Sequence, residues 1–200
     1  LDENGKPLGI TPKERKDAHK LIEEFMLMAN KRVAEFVFKK GTRDKPKPFV
    51  YRTHDNPDPE KLNTFSNFAV RFGHKMDVER QGISKSLNAL ISEIEGKPEQ
   101  IAIRTMAKAK YTTAENGHFG LAFDHYTHFT SPIRRYPDMM VHRLLQHYLD
   151  GGKSVDKEET EELCVHASER EKRAADAERA SIKFKQVEFM AMAEDKVFAG

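Results

Sequence analysis

Between His125 and Arg143 the chain reads HYTHFTSPIRRYPDMMVHR, with three histidines, three arginines, two prolines and a Thr-Ser pair in nineteen residues. Pro132 has no amide hydrogen and biases Ser131 away from helix, so HFTSPIRRYPD is expected to form a turn between a strand and a helix. Pro137 fits the first turn of that helix. Such a turn gathers free backbone N–H groups, the hydroxyls of Thr130 and Ser131, and the guanidiniums of Arg134 and Arg135. These donors suit a phosphate: arginine offers a planar fork for two oxygens, the neutral donors fill the rest, and a helix N-terminus adds partial positive charge. A second role fits the same residues, with Asp138 neutralising one guanidinium and capping the helix at the surface. Spacing alone leaves both open.

Other polar residues are weaker signals. His118, His125 and His128 fall within eleven residues, with Asp124 among them. In a strand, a spacing of three sends the side chains of His125 and His128 to opposite faces, and no cysteine accompanies them, so packed, hydrogen-bonding histidines are expected rather than a zinc site. His142, on the following helix, is expected to be structural. Glu23 and Asn30 stand seven positions apart, on nearly one helical bearing at the edge of an apolar stripe, which marks ordinary boundary positions. Glu178, in ADAERA, has the setting of a solvated helix face. Lys108 to Lys110, followed by Tyr111, would suit nucleic acid as cations beside an aromatic. A helix end with cations answering the dipole is the preferred expectation.

The elements that must position these residues are mostly helical. Thr11, Pro12 and Glu14 spell a capping box, and Ala18, Leu21, Ile22, Phe25, Met26, Ala29, Val33, Phe36 and Val37 recur at steps of three and four. They predict one amphipathic helix of about 28 residues, ended by Gly41. FVYR (49–52) reads as a short strand, and Asp58-Pro59 opens a helix running towards Gly73. Further helices are expected over 84–94 and from Pro98 to about Ala109. YTTAENGHFGLAF (111–123) alternates and carries Gly117 and Gly120, so strand with turns is expected. Helical spacing returns after Pro137 up to Gly151-Gly152. From about Val155 to Asp195 one or two charged helices are expected, with Ala174, Ala177 and Ala180 as a close-packed seam. VFAG (197–200) looks like the start of another strand.

Composition narrows the classes. The 200 residues are 38% hydrophobic and 33% charged, with a net charge of only +2, so any basic site must be local. The single Cys164 excludes a disulfide framework and fits a reducing compartment. No apolar run is long enough for a membrane span, and LDENGKPLGI is not a signal peptide. The missing initiator Met leads us to expect a piece of a longer chain.

With these residues laid out, HYTHFTSPIRRYPDMMVHRLL resembles the signature of the RNase II/RNase R exoribonuclease family, within its catalytic RNB domain. AHKLIEEFMLMAN, RTMAKAKY followed by GHFGLAF, and SEREKRAADAER resemble further family blocks in the same order, and the likeness is strongest to the bacterial RNase R branch. The resemblance implies an α+β, helix-dominated fold: the second half of an RNB domain, whose few short strands belong to a mixed sheet. It places the C-terminal part of that domain at 1–190 and a linker or the start of a following S1-like domain at 191–200. It implies a cytoplasmic enzyme that degrades single-stranded RNA from the 3′ end to nucleoside 5′-monophosphates with Mg2+. In that likeness Arg134 matches the arginine on the scissile phosphate, Glu23 a carboxylate on ribose hydroxyls, and Glu178 a glutamate near the RNA exit. Arg135 is expected to screen the RNA backbone, with Ser131 and Thr130 as neutral donors to it. The family's aspartate cluster, which holds the metal, has no counterpart here, so the ligands are expected upstream and the fragment alone is expected to be inactive. Self-association of the uncovered faces is an expected hazard. A non-catalytic RNA-binding module derived from the same domain is the alternative.

Overall fold

The computed structural model describes residues 1–9, 14–42, 44–71 and 107–192. Among the described residues there are four α-helices and a small antiparallel ladder: α1 (Asp17–Lys40), α2 (Pro59–Arg71), α3 (Tyr136–Leu149) and α4 (Lys157–Met192), with β1 (Tyr51–Thr53) pairing β2 (Lys110–Thr112). Tyr51, Arg52 and Thr53 face Thr112, Tyr111 and Lys110 in register. The helix-dominated α+β class read from the sequence is what the chain adopts.

Helix α1 begins later than the capping box predicts. Thr11 and Pro12 lie outside the described residues, and helical geometry starts at Asp17, after an extended Lys16. His19 closes the end, its Nδ1 accepting the Lys16 N–H at 3.1 Å, so Glu14 is not the reciprocal partner. Of the predicted apolar stripe only Val37 is buried; Met26, Ala29 and Val33 are half-buried and Phe36 is exposed, so the covered face is offset from it. Asn30, Ala34 and Val37 are covered, whereas Leu21, Ile22, Phe25 and Met28 are exposed.

The predicted strand at 49–52 is shifted. Phe49 and Val50 are fully buried but precede the ladder, which runs over 51–53. The segment carrying His125 and His128 is extended without joining the ladder as a strand. It still lies against β1, because Arg52 donates its N–H to Tyr126 O at 2.9 Å and Thr127 Oγ1 donates to Val50 O at 2.6 Å. Beyond β2, the expected strand gives way to a 3-10 turn at Phe119–Leu121, where Gly120 N–H reaches His54 Nδ1 at 3.0 Å. A Cβ at Gly120 would sit 2.8 Å from that nitrogen, which explains the glycine. Lys110 belongs to β2, with its Nζ 3.0 Å from Asp55, and Ala107 to Ala109 are not helical, so the expected helix end is absent there. The rest of that helix, the predicted helix over 84–94, Gly73 and the predicted strand at 197–200 lie outside the described residues.

Asp58 Oδ1 caps α2 through the Glu60 N–H, and Pro137 sits in the first turn of α3, both as the sequence implied. Helix α4 is one continuous element, but its seam is not the expected one. Ala174, Ala177 and Ala180 are exposed, and the buried contacts are Thr160, Cys164 and Ala167, where α4 crosses β2. Burial pushes the Cys164 thiol up to about 12, so it is inert packing. Glu161 fastens the crossing by accepting from Thr113 N–H at 2.5 Å and from both threonine hydroxyls, at 2.8 Å for Thr112 and 2.6 Å for Thr113. Ala34, Val37, Val50, Tyr51, Val141 and Cys164 form the centre of the core between α1, the ladder, α3 and α4.

Candidate functional site

The Ser-Pro turn is built on a buried carboxylate. Asp138, fully buried in the first turn of α3, accepts the Ser131 N–H at 2.7 Å and the Arg135 Nη2 at 2.8 Å, both on Oδ1. The carbonyl of Ser131 takes the N–H groups of Arg134 and Arg135 at 3.3 and 3.0 Å. The loop is thereby closed on itself from 131 to 138. The arginine side chains then diverge. Arg135 is mostly covered and neutralised by Asp138. Arg134 is exposed, and among the described residues its guanidinium has no hydrogen-bond or ion-pair partner. The two roles left open by the sequence are thus divided between neighbours: Asp138 pairs with Arg135, and Arg134 is left over.

Beneath the turn lies a cavity of about 720 Å³ between it and α4. Arg134, Arg135 and Tyr136 form one wall, and Ala174, Ala175 and Glu178 from α4 form part of the other. Arg134, Arg135 and Glu178 are therefore brought together from positions more than forty residues apart. The remaining candidates are elsewhere. Glu23 lies on α1, paired with Arg15, and does not line the cavity. Ser131 acts through its backbone, and Thr130 has a buried Oγ1 without a partner among the described residues. Neither lines the cavity.

A supporting layer lies behind the cavity; its packed histidines match the sequence expectation, whereas its Arg52–Glu171–Tyr111 part was missed. Arg52 from β1 bonds Glu171 of α4 at 2.6 Å and stacks over Tyr111 at 4.5 Å. The Tyr111 N–H donates to Ser168 Oγ at 2.9 Å, and its hydroxyl lies 2.8 Å from His128 Nδ1. Burial, reinforced by the positive Arg135 and Arg52, pushes His128 down to about 3, so the ring that meets the phenol is neutral. Burial and the neighbouring His54 push His118 down to about 4. His125 stacks on Phe38 at 3.9 Å, and His142 stacks on Phe129 at 4.1 Å, with its Nε2 2.9 Å from Phe129 O. Asn30 is buried, donating to Tyr126 Oη at 3.0 Å and accepting Phe129 N–H at 2.9 Å, so it ties α1 to the approach of the turn. The only signal for Asn30 was a polar residue beside an apolar stripe; Arg52 carried none, because its partner is 119 residues away.

Chemically, the cavity offers a permanently charged fork that is unpaired among the described residues, and a carboxylate on its α4 wall, beside a turn fixed by buried hydrogen bonds. Among the described residues no group of three or more His, Cys, Asp or Glu side chains could hold a metal ion. Glu171 is committed to Arg52, which leaves Glu178 as a single carboxylate at the rim. The described residues therefore do not fit a magnesium site. Among them, no helix is long and apolar enough to cross a membrane.

Comparison with known proteins bears on this arrangement. The RNB domain family profile matches residues 1–151. Ribonuclease R 1 of Lactococcus lactis subsp. lactis (strain IL1403) is 40% identical over 201 residues, covering 95% of this chain and 24% of that protein. Ribonuclease R of Aquifex aeolicus is 40% identical over 199 residues, covering 95% of this chain and 27% of that protein. The chain thus spans about a quarter of the length of these relatives. Among solved structures, Mycoplasma genitalium RNase R in complex with ribose methylated single-stranded RNA superposes with TM-score 0.80 at 26% identity, covering 95% of this chain and 31% of that one. Yeast Ssd1, a pseudonuclease, matches with TM-score 0.65 at 26% identity, over 78% of this chain and 20% of its own. With the profile extending over most of the chain, up to α3 and including the arginine turn, the protein belongs to the RNB domain family.

Proposed function

We propose that this chain is the phosphate-gripping half of the RNB domain of a 3′-5′ exoribonuclease that hydrolyses single-stranded RNA to nucleoside 5′-monophosphates in the cytoplasm. The observation that supports it is the division of labour in the turn: Asp138 neutralises Arg135, and Arg134 stands charged at a cavity, unpartnered among the described residues. Arg134 would hold the scissile phosphate, where a fixed guanidinium stabilises charge developing on the phosphoryl oxygens. Arg135 would contribute a residual backbone-screening field. Glu178, on the α4 wall, would repel phosphate and so limit how tightly the strand is held. For Ser131 we propose a neutral contact to the strand from its hydroxyl; the Thr130 Oγ1 is buried and offers no such contact. The proposed contact of Glu23 with ribose hydroxyls rests on the family resemblance; its carboxylate would exchange Arg15 for the sugar.

Magnesium enters this proposal as a cofactor of the whole enzyme, held by carboxylates outside these 200 residues. A second reading has its own support, because yeast Ssd1 carries the same architecture as a pseudonuclease. One experiment separates them. The full-length parent is incubated with 5′-labelled single-stranded RNA and Mg2+. Progressive shortening from the 3′ end with release of nucleoside 5′-monophosphates supports the nuclease, and bound but intact RNA supports the binding module. The 200-residue chain alone is expected to leave RNA intact; release of mononucleotides by it would refute the assignment of the metal ligands to another part of the protein.

A further inference from the structure

Helix α4 brings a second guanidinium to the cavity. His166, Arg170, Ala174 and Glu178 recur at steps of four, so they share one face of the helix, and all four line the cavity. Arg170 and Glu178 are separated by two turns, about 12 Å along the axis. Arg134 and Arg135 stand on the opposite wall. Guanidiniums therefore line both walls of the cavity, with Glu178 as a carboxylate on the α4 wall. Between Arg170 and Glu178 the α4 wall carries Glu171, which is paired with Arg52, and then Ala174 and Ala175, whose small side chains leave room for a polymer backbone.

Arg170 is exposed and uncommitted. Its Nε lies 3.4 Å from His166 Nε2, a marginal hydrogen bond, and among the described residues it forms no ion pair. The acidic neighbour Glu171 is turned towards Arg52 at 2.6 Å. An arginine flanked by Glu169 and Glu171 that pairs with neither keeps its full charge and both Nη groups for a ligand.

We propose that Arg170 binds a phosphate of the RNA backbone other than the one held by Arg134, so that the strand is gripped from both walls of the cavity. This rests on the proposed RNA-processing function. A phosphate that does not react carries the same charge before and during cleavage, so the contact from Arg170 is uniform binding and shows in affinity, whereas a contact to the reacting phosphate shows in turnover. Closing two sides on the backbone also leaves the base edges unread, which suits a site that must accept any sequence.

The test uses the full-length parent with a fluorescent single-stranded RNA, with anisotropy measured at several salt concentrations and single-turnover cleavage measured alongside. Arg170→Ala is expected to weaken RNA binding about tenfold, as expected for loss of one charged hydrogen-bonding contact. The slope of log affinity against log salt should become shallower by about 0.7, the value for one phosphate on a single strand. The loss should fall on affinity more than on cleavage at saturating RNA. Arg170→Lys should keep the salt slope, because it keeps the charge. An unchanged slope in Arg170→Ala overturns the proposal, even if affinity drops, since a merely structural role would leave the ion count alone. Binding without cleavage by the wild type would defeat the nuclease function while the salt slope still decides Arg170. Failure of the wild type to bind RNA at all would overturn both.

Discussion

Asp138→Ala should unfasten the arginine turn, and the structure sets the size of the effect. The carboxylate is fully buried and accepts both the Ser131 N–H and the Arg135 guanidinium on Oδ1. Removing it leaves a largely buried cation without a counter-charge and a backbone amide without an acceptor. Breaking a fully buried pair costs about 3–5 kcal/mol. Here the Arg135 side chain retains 21% exposure, so water recovers part of that, and we expect a loss of about 3 kcal/mol. For a chain of this length that corresponds to a fall in Tm of roughly 6–12 °C. Asp138→Asn keeps an acceptor in place and should cost about half as much. Urea unfolding of the purified chain reads all of these, and a double-mutant cycle makes the test specific. Arg135→Met in the Asp138→Ala background removes the stranded charge, so the double variant should be more stable than the sum of the single losses by about 1–2 kcal/mol. Strict additivity, or an Asp138→Ala loss below about 0.5 kcal/mol, would refute the clamp.

Acid should destabilise the fold through its buried histidines. Both His128 and His118 have folded values pushed down, to about 3 and about 4, from an ordinary 6.5. Their contribution is complete above pH 6.5 and is lost as pH falls from there towards the folded values, because the unfolded chain takes up protons that the folded chain refuses. The slope is at most about 1.4 kcal/mol per pH unit for each ring; a stability profile flat between pH 6.5 and 4.5 would contradict it. Glu161→Ala should cost about 1–2 kcal/mol by stranding Thr113 N–H and the two hydroxyls it holds, measured by the same unfolding assay, and no loss would mean that water replaces it freely. In the full-length parent, Glu23→Ala should narrow the preference for RNA over DNA in a competition assay; an unchanged preference removes Glu23 from the ribose role.

Local signals carried much of the fold. Pro137 at the start of α3, Asp58 at the start of α2 and the long periodic run of α1 each state their element within a few neighbouring residues. Where the outcome depended on distant partners, sequence reading slipped. Ala174 to Ala180 has the spacing of a seam, yet the described chain has nothing packed on it, and the buried seam falls where α4 meets β2. Leu21, Ile22 and Phe25 have the right period for a core face but stay exposed for the same reason. Within the site, the arginine turn was legible because proline, hydroxyls and guanidiniums are contiguous. Which arginine is free was not, because Asp138 stands three residues from Arg135 and four from Arg134, and either pairing suits a helix start. Arg170 gave no signal at all: in a helix this charged, only the placement of the opposite wall distinguishes it.

The central claim is that Arg134 holds the phosphate at which the RNA chain is cut. It is tested most directly by measuring single-turnover cleavage and RNA affinity for Arg134→Ala in the full-length parent. Cleavage at saturating RNA should fall by about 10²-fold or more, with affinity changing much less. A large loss of affinity with cleavage at saturating RNA unchanged would contradict it.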